Sequence, residues 1–156
     1  MSHETFMRDA IQLSTDAVRS GRGGPFGCVV VRQGKVVGRG SNEVTSANDP
    51  TAHAEVMAIR NACKALGTFL LDDCELYTSC EPCPMCLAAI YWARIPTAFY
   101  GNTREDAAKI GFDDELLYRQ VALPIAERTL DMKPLLNAEA NVTFQEWAAK
   151  ADKVAY

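Results

Sequence analysis

The chain has 156 residues, of which 48% are hydrophobic and 23% charged, with a formal net charge of −4 at neutral pH. That length suits a single domain with a proper core, and no apolar run is long enough to span a bilayer. Proteins that grip a nucleic-acid backbone usually present a basic face, so an acidic balance makes nucleic acid an unlikely partner and favours a small-molecule ligand.

The opening residues, MSHETFMRDA, carry polar and charged groups where a signal peptide needs an apolar stretch. The expectation is a reducing cytoplasm, where six cysteines are read as core residues or as a metal or redox pair rather than as disulfides. Residues 5–20 predict an amphipathic helix with Phe6, Ala10, Leu13 and Ala17 on one stripe, stopped by Gly21, Gly23 and Gly24. Cys28 to Arg32 and Lys35 to Arg39 are strands closed into a hairpin by Gln33-Gly34. Asn42 follows the second strand. Asp49-Pro50-Thr51 leads into a helix that starts near His53, puts Val56, Ile59, Cys63 and Leu66 on one face and ends at Gly67.

Cys74 to Ser79 predicts a third strand, Cys83 to about Ala93 a helix, and Thr97 to Tyr100 a fourth strand. Beyond that the pattern weakens. Residues 106–109, 114–121 and 143–150 predict short helices, the last opened by a Thr143-x-x-Glu146 capping box. Residues 121–141 have little periodicity and read as an extended arm, with the segment from about 122 to 156 forming a C-terminal arm and helix of one domain, 1–156. The element order predicts an α/β fold, a three-layer α/β/α sandwich with a mixed central sheet.

His53-Ala54-Glu55 and Pro82-Cys83-Pro84-Met85-Cys86 carry the chemistry. One imidazole and two thiolates are three good zinc ligands, whereas a structural zinc normally takes four, so the set suits a catalytic zinc with one position open to water. Cys83 and Cys86 are three apart and share one side of a first helical turn. Glu55 is the candidate proton carrier. On a regular helix it would point about 200° away from His53, so both can aim at one site only if His53 sits at the non-helical start. Either motif alone is weak; H-x-E followed by P-C-x-x-C is the signature of zinc nucleobase deaminases. The competing readings are a three-ligand structural zinc and a thioredoxin-like redox pair, which would leave His53 and Glu55 without a purpose. Cys28, Cys63, Cys74 and Cys80 are expected as small core residues, and His3 as solvated.

The segments DPTAHAE, 49–55, and TSCEPCPMC, 78–86, resemble the cytidine-deaminase-like superfamily. Gly24-Pro25-Phe26-Gly27, Asn42, Tyr91-Trp92-Ala93-Arg94, Gly111-Phe112-Asp113-Asp114 and a terminal Tyr156 are similar to the bacterial-type guanine deaminases within it. The resemblance implies one Zn2+ per chain on His53, Cys83 and Cys86, with Glu55 and Asp114 catalytic. It implies a purine base held by Asn42 and Ala54 and closed over by Tyr156, with Phe26, Trp92 and Phe112 as aromatic walls. It also implies a cytoplasmic homodimer with a swapped C-terminal segment. Asp114 has a second reading, as a helix cap shared with Asp113. The competing functions are a tRNA-adenosine deaminase, a pyrimidine deaminase acting on cytosine or cytidine, and a zinc-stabilised interaction module without turnover.

Overall fold

Alternating side-chain direction along two strands buried on both faces sorts the core into two layers. The structure is a computed structural model and describes residues 2–156. Four strands, β1 (Gly27–Arg32), β2 (Lys35–Ser41), β3 (Cys74–Cys80) and β4 (Thr97–Asn102), form one sheet in the order β2-β1-β3-β4. The β1 pairings with β2 and β3 are antiparallel, and the β3–β4 pairing is parallel, so the sheet is mixed as expected. The Gln33-Gly34 turn takes positive φ at both residues (50° and 73°), the geometry that matches the twist of a two-residue hairpin.

On one face of the sheet, Val29, Val31 and Tyr77 pack against Phe6 and Ala10 of α1 (His3–Arg19). On the other, Cys28, Val30, Cys74 and Leu76 pack against α3 (Ala54–Leu66) and α4 (Pro84–Trp92). The result is the helix–sheet–helix sandwich that strands buried on both faces require. α1 starts two residues earlier than the sequence suggests because the Ser2 hydroxyl caps it, accepting from the Thr5 N–H. A groove of about 540 Å³, lined by Met7, Ile11, Tyr77, Phe99 and Tyr100 among others, lies on the α1 face.

The α3 stripe corrects the periodicity reading. Its buried residues are Ala54, Glu55, Ala58 and Ala62, while Ile59, Cys63 and Leu66 flank the core half-exposed. The reason lies on β2: a Cβ on Gly40 would meet the Ala54 carbonyl at 2.2 Å, and one on Gly38 the Ala58 carbonyl at 2.3 Å. Alanines opposite glycines bring the helix backbone against the strand, which larger side chains would prevent. A short α2 (Val44–Ala47), absent from the sequence reading, fills the link between β2 and α3.

The chain divides into two compact units, one ending at Leu116 and one spanning Leu117–Tyr156. The first also holds α5 (Arg104–Lys109), opened by a capping box between Thr103 and Asp106. α6 (Glu115–Ala122) crosses the boundary. The second unit has a short 3-10 turn (Ile125–Glu127), an irregular stretch and α7 (Asn137–Ala149). α7 begins six residues before Thr143, so the Thr143–Glu146 pair is interior to a helix and caps nothing. No residue from Leu117 onward is buried, and Leu135 (84%) and Phe144 (76%) stand exposed. Among the described residues, no helix is long and apolar enough to cross a membrane.

Candidate active site

Two helix starts meet beyond the carboxyl end of β3. His53 is the N-cap of α3, with extended dihedrals (φ −74°, ψ 154°), and Cys83 is the N-cap of α4 (φ −64°, ψ 168°), followed by Pro84 at the first helical position. The condition set by the sequence is therefore met. With His53 outside the helix and Glu55 in its first turn, the two side chains are free of the helical offset that would separate them.

His53 Nδ1 lies 3.6 Å from Cys83 Sγ and 3.5 Å from Cys86 Sγ, and these three ligand atoms fall within 4.8 Å of one another. A tetrahedral zinc with bonds of about 2.05 Å to nitrogen and about 2.3 Å to sulfur separates those donors by about 3.6 Å. The residues fit the ion. A hydrogen bond from Cys86 and then the His53 imidazole bring the Cys83 thiol down to about 4, while sharing that proton and burial push Cys86 up. The Cys83 interaction also raises His53 above its ordinary value.

Glu55 is only 5% exposed and stands apart from the three ligands. Burial raises its carboxyl above the ordinary range, opposed by hydrogen bonds from its own N–H, from Cys86 and from the Thr78 hydroxyl, which donates to Oε1 at 3.1 Å. A buried carboxyl with a raised pKa is suited to accept and return protons near neutrality.

Asn42 is buried at the end of β2, and its N–H donates to the Phe26 carbonyl. Its side-chain Oδ1 accepts from the Gly24 and Val44 N–H groups, which leaves the amide N–H donors for a ligand acceptor. A Cβ on Gly23 would lie 2.7 Å from that Oδ1, so the loop approaches Asn42 only as glycine. Phe26 and Phe112 meet edge to face with centroids 4.9 Å apart. Asp114 follows two residues later and is half-buried; burial and then the Cys83 charge raise its pKa. At the start of α6 the Asp113 carboxylate accepts from the Glu115 N–H. Contacts thus run from Asn42 through Gly24 and Phe26 to Phe112, two residues before Asp114.

Ala54 is fully buried between His53 and Glu55. Trp92 is not brought to the ligands: it ends α4, about 13 Å along the axis from Cys83, 60% exposed and with the Arg94 guanidinium 5.8 Å from its ring centroid. Tyr156 lies in the second unit and is 71% exposed. All six cysteines are free, and Cys28, Cys74 and Cys80 are buried. His3 is exposed as expected, and its Nδ1 also lies 2.5 Å from the Tyr77 hydroxyl. Thr78 is the residue that the sequence reading missed; a hydroxyl in register with Cys74, Leu76 and Cys80 on one face of β3 is the signal that marks it.

A three-ligand zinc site with a buried glutamate beside it, set at two helix starts on a mixed sheet, defines a zinc-dependent deaminase. Residues 1–102 match the family described as the cytidine and deoxycytidylate deaminase zinc-binding region, and the chain belongs to it. It is 52% identical over its full length to the guanine deaminase of Bacillus subtilis, which is also covered in full. The crystal structure of a Bacillus subtilis guanine deaminase superposes with a TM-score of 0.96 over 100% of this chain and 99% of that one, at 52% identity. The tRNA-specific adenosine deaminase of Aquifex aeolicus is 38% identical over 64% of this chain and 66% of its own. A guanine deaminase structure from Nitrosomonas europaea gives a TM-score of 0.70 at 30% identity, covering 73% of this chain and 66% of that one.

Proposed function

We propose that this chain hydrolyses the exocyclic amino group of guanine, giving xanthine and ammonia in the cytoplasm. The observation that carries the reading is the His53–Cys83–Cys86 triangle at zinc spacing beside a buried Glu55. The choice of guanine rests on similarity along the whole chain to a guanine deaminase, where the adenosine deaminase similarity covers 64% of it.

His53, Cys83 and Cys86 hold the zinc, and when bound it supplies a Lewis acid that lowers the pKa of water toward about 7. Glu55 would take one proton from the attacking water and pass it to the ring nitrogen, then carry the remaining proton of the newly added hydroxyl to the amine, which leaves as ammonia as the carbonyl forms. Asn42 donates from its amide to a purine acceptor, and Phe26 and Phe112 wall the ring. Asp114 faces the amino group that leaves C2. We assign the assembly as a homodimer in which the segment from about residue 122 exchanges between copies and Tyr156 contributes to the purine pocket. The exposed Leu135 and Phe144 support that assignment, because apolar side chains without a core call for a partner. Sedimentation showing a monomer at working concentration would remove it.

The deciding assay presents purified zinc-loaded protein with guanine, adenine, cytosine, cytidine and a tRNA anticodon stem-loop, and follows ammonia release. Turnover of guanine is expected. Turnover of the stem-loop or of cytidine without guanine assigns the other readings, and no turnover of any substrate with zinc bound assigns the interaction module.

A further inference from the structure

The inward positions of β3 are Cys74, Leu76, Thr78 and Cys80, and all four are buried. Cys74 and Leu76 join the core cluster with Ala54 and Ala58, so this face of the strand is an apolar surface with one hydroxyl in it. Thr78 is 0% exposed. A hydroxyl there without a partner would cost about 1–3 kcal/mol, and valine would fill the same volume at no such cost. Its partner is the Glu55 carboxylate, at 3.1 Å.

That bond does something packing does not. The terminal torsion of a glutamate is broad and nearly two-fold, so a carboxylate turns easily unless hydrogen bonds hold it. Of the three groups that hydrogen-bond this one, Cys86 is a candidate zinc ligand and another is Glu55's own N–H, which leaves the Thr78 hydroxyl as the anchor from a separate element. A hydroxyl donated to Oε1 suits both charge states of the acid, because Oε1 accepts whether or not Oε2 carries a proton. We infer that Thr78 is the positioning residue of Glu55: its hydroxyl anchors Oε1 and assigns proton exchange to Oε2 alone. The inference rests on the reading of Glu55 as the proton carrier. It places no demand on substrate binding or on the zinc ligands: the Thr78 hydroxyl donates to Glu55, while His53, Cys83 and Cys86 meet one another.

Two substitutions separate this role from a structural one, because they predict opposite orders. Thr78→Val keeps the shape and removes the hydroxyl; Thr78→Ser keeps the hydroxyl and removes a methyl. In the zinc-loaded full-length protein, Thr78→Val is expected to lower kcat by on the order of 10- to 100-fold, the loss typical of a misplaced reacting group, with KM within about twofold and one zinc per chain retained. Thr78→Ser is expected to stay within about threefold of the parent in kcat while losing more thermal stability than Thr78→Val. Should the valine variant fold poorly, Thr78→Ala against Thr78→Ser makes the same comparison. Valine as active as the parent, or serine as impaired as valine, overturns the inference.

Glu55→Gln, measured in parallel, keeps the two layers of the argument distinct. Full activity in Glu55→Gln means that the proton-carrier reading itself is wrong. An inactive Glu55→Gln beside an unimpaired Thr78→Val removes the Thr78 role alone. Residual turnover in Glu55→Gln should not fall further when Thr78→Val is added, and a further fall would show Thr78 acting elsewhere.

Discussion

Gly40→Ala tests whether the close approach of α3 to β2 is what places the candidate ligands. The added Cβ would sit 2.2 Å from the Ala54 carbonyl and 2.5 Å from the Ala58 N–H nitrogen, all backbone that cannot rotate away. Backing off to a contact of about 3.2 Å requires the start of α3 to retreat by ~1 Å. Overpacking of this kind costs about 1–3 kcal/mol, which lowers Tm by several degrees in a chain this size. A site tolerates only about 0.5 Å, so a 1 Å retreat next to His53 and Glu55 should weaken zinc affinity by at least tenfold and reduce kcat. Gly38→Ala is the control. Its Cβ would clash just as hard, at 2.3 Å from the Ala58 carbonyl, but one turn further from His53. Thermal unfolding, zinc competition against a chelator and guanine turnover are measured on both. Equal losses of Tm with zinc affinity lost only in Gly40→Ala are expected. If both variants lose stability and neither loses zinc affinity, the glycine approach does not position the site and the reasoning is refuted.

Zinc affinity should fall steeply with acidity. Without metal, His53 and Cys86 both have raised pKa values and hold protons, whereas Cys83, at about 4, is already a thiolate. Binding therefore releases the Cys86 proton at neutral pH, and the His53 proton as well once the pH falls below its raised value; a chelator titration with no pH dependence would contradict this. For Asp114 the sign runs the other way from a salt-bridged carboxylate. Its folded pKa is raised above 3.8, so the native state binds the proton more tightly and stability falls as pH rises through the folded value. Asp114→Asn should thus raise Tm at pH 7, lose that advantage below pH ~4, and lower kcat on the order of 100-fold. A variant destabilised at pH 7 would point to a structural role instead.

Much of the site was legible because its chemistry is written in residue type and short spacing. A histidine, two thiols three apart and a glutamate two from the histidine name a metal and a proton carrier before any fold is known. The helix starts at His53 and Cys83 were legible for the same reason, since proline and local capping act within a few residues. Trp92 shows the limit of short-range pattern: residue type suggests an aromatic wall, while its position, nine residues and about 13 Å along α4 from Cys83, is set by the helix. The buried stripe of α3 was misread because periodicity weighs Val56 and Ile59 above alanine, and only the opposing Gly38 and Gly40 make alanine the contact residue. Thr78 was missed because its partner lies 23 residues away, across a helix and a strand.

The sequence by itself determined the ligand set, the proton carrier and the two-layer pattern of the strands, all of which depend on identity and local period. Tertiary structure decided that Asn42 turns its acceptor inward to Gly24, that Phe26 meets Phe112 edge to face, and that Glu55 is held by a hydroxyl from β3. Those are choices of orientation, made by backbone groups and side chains that meet only once the sheet and helices have closed.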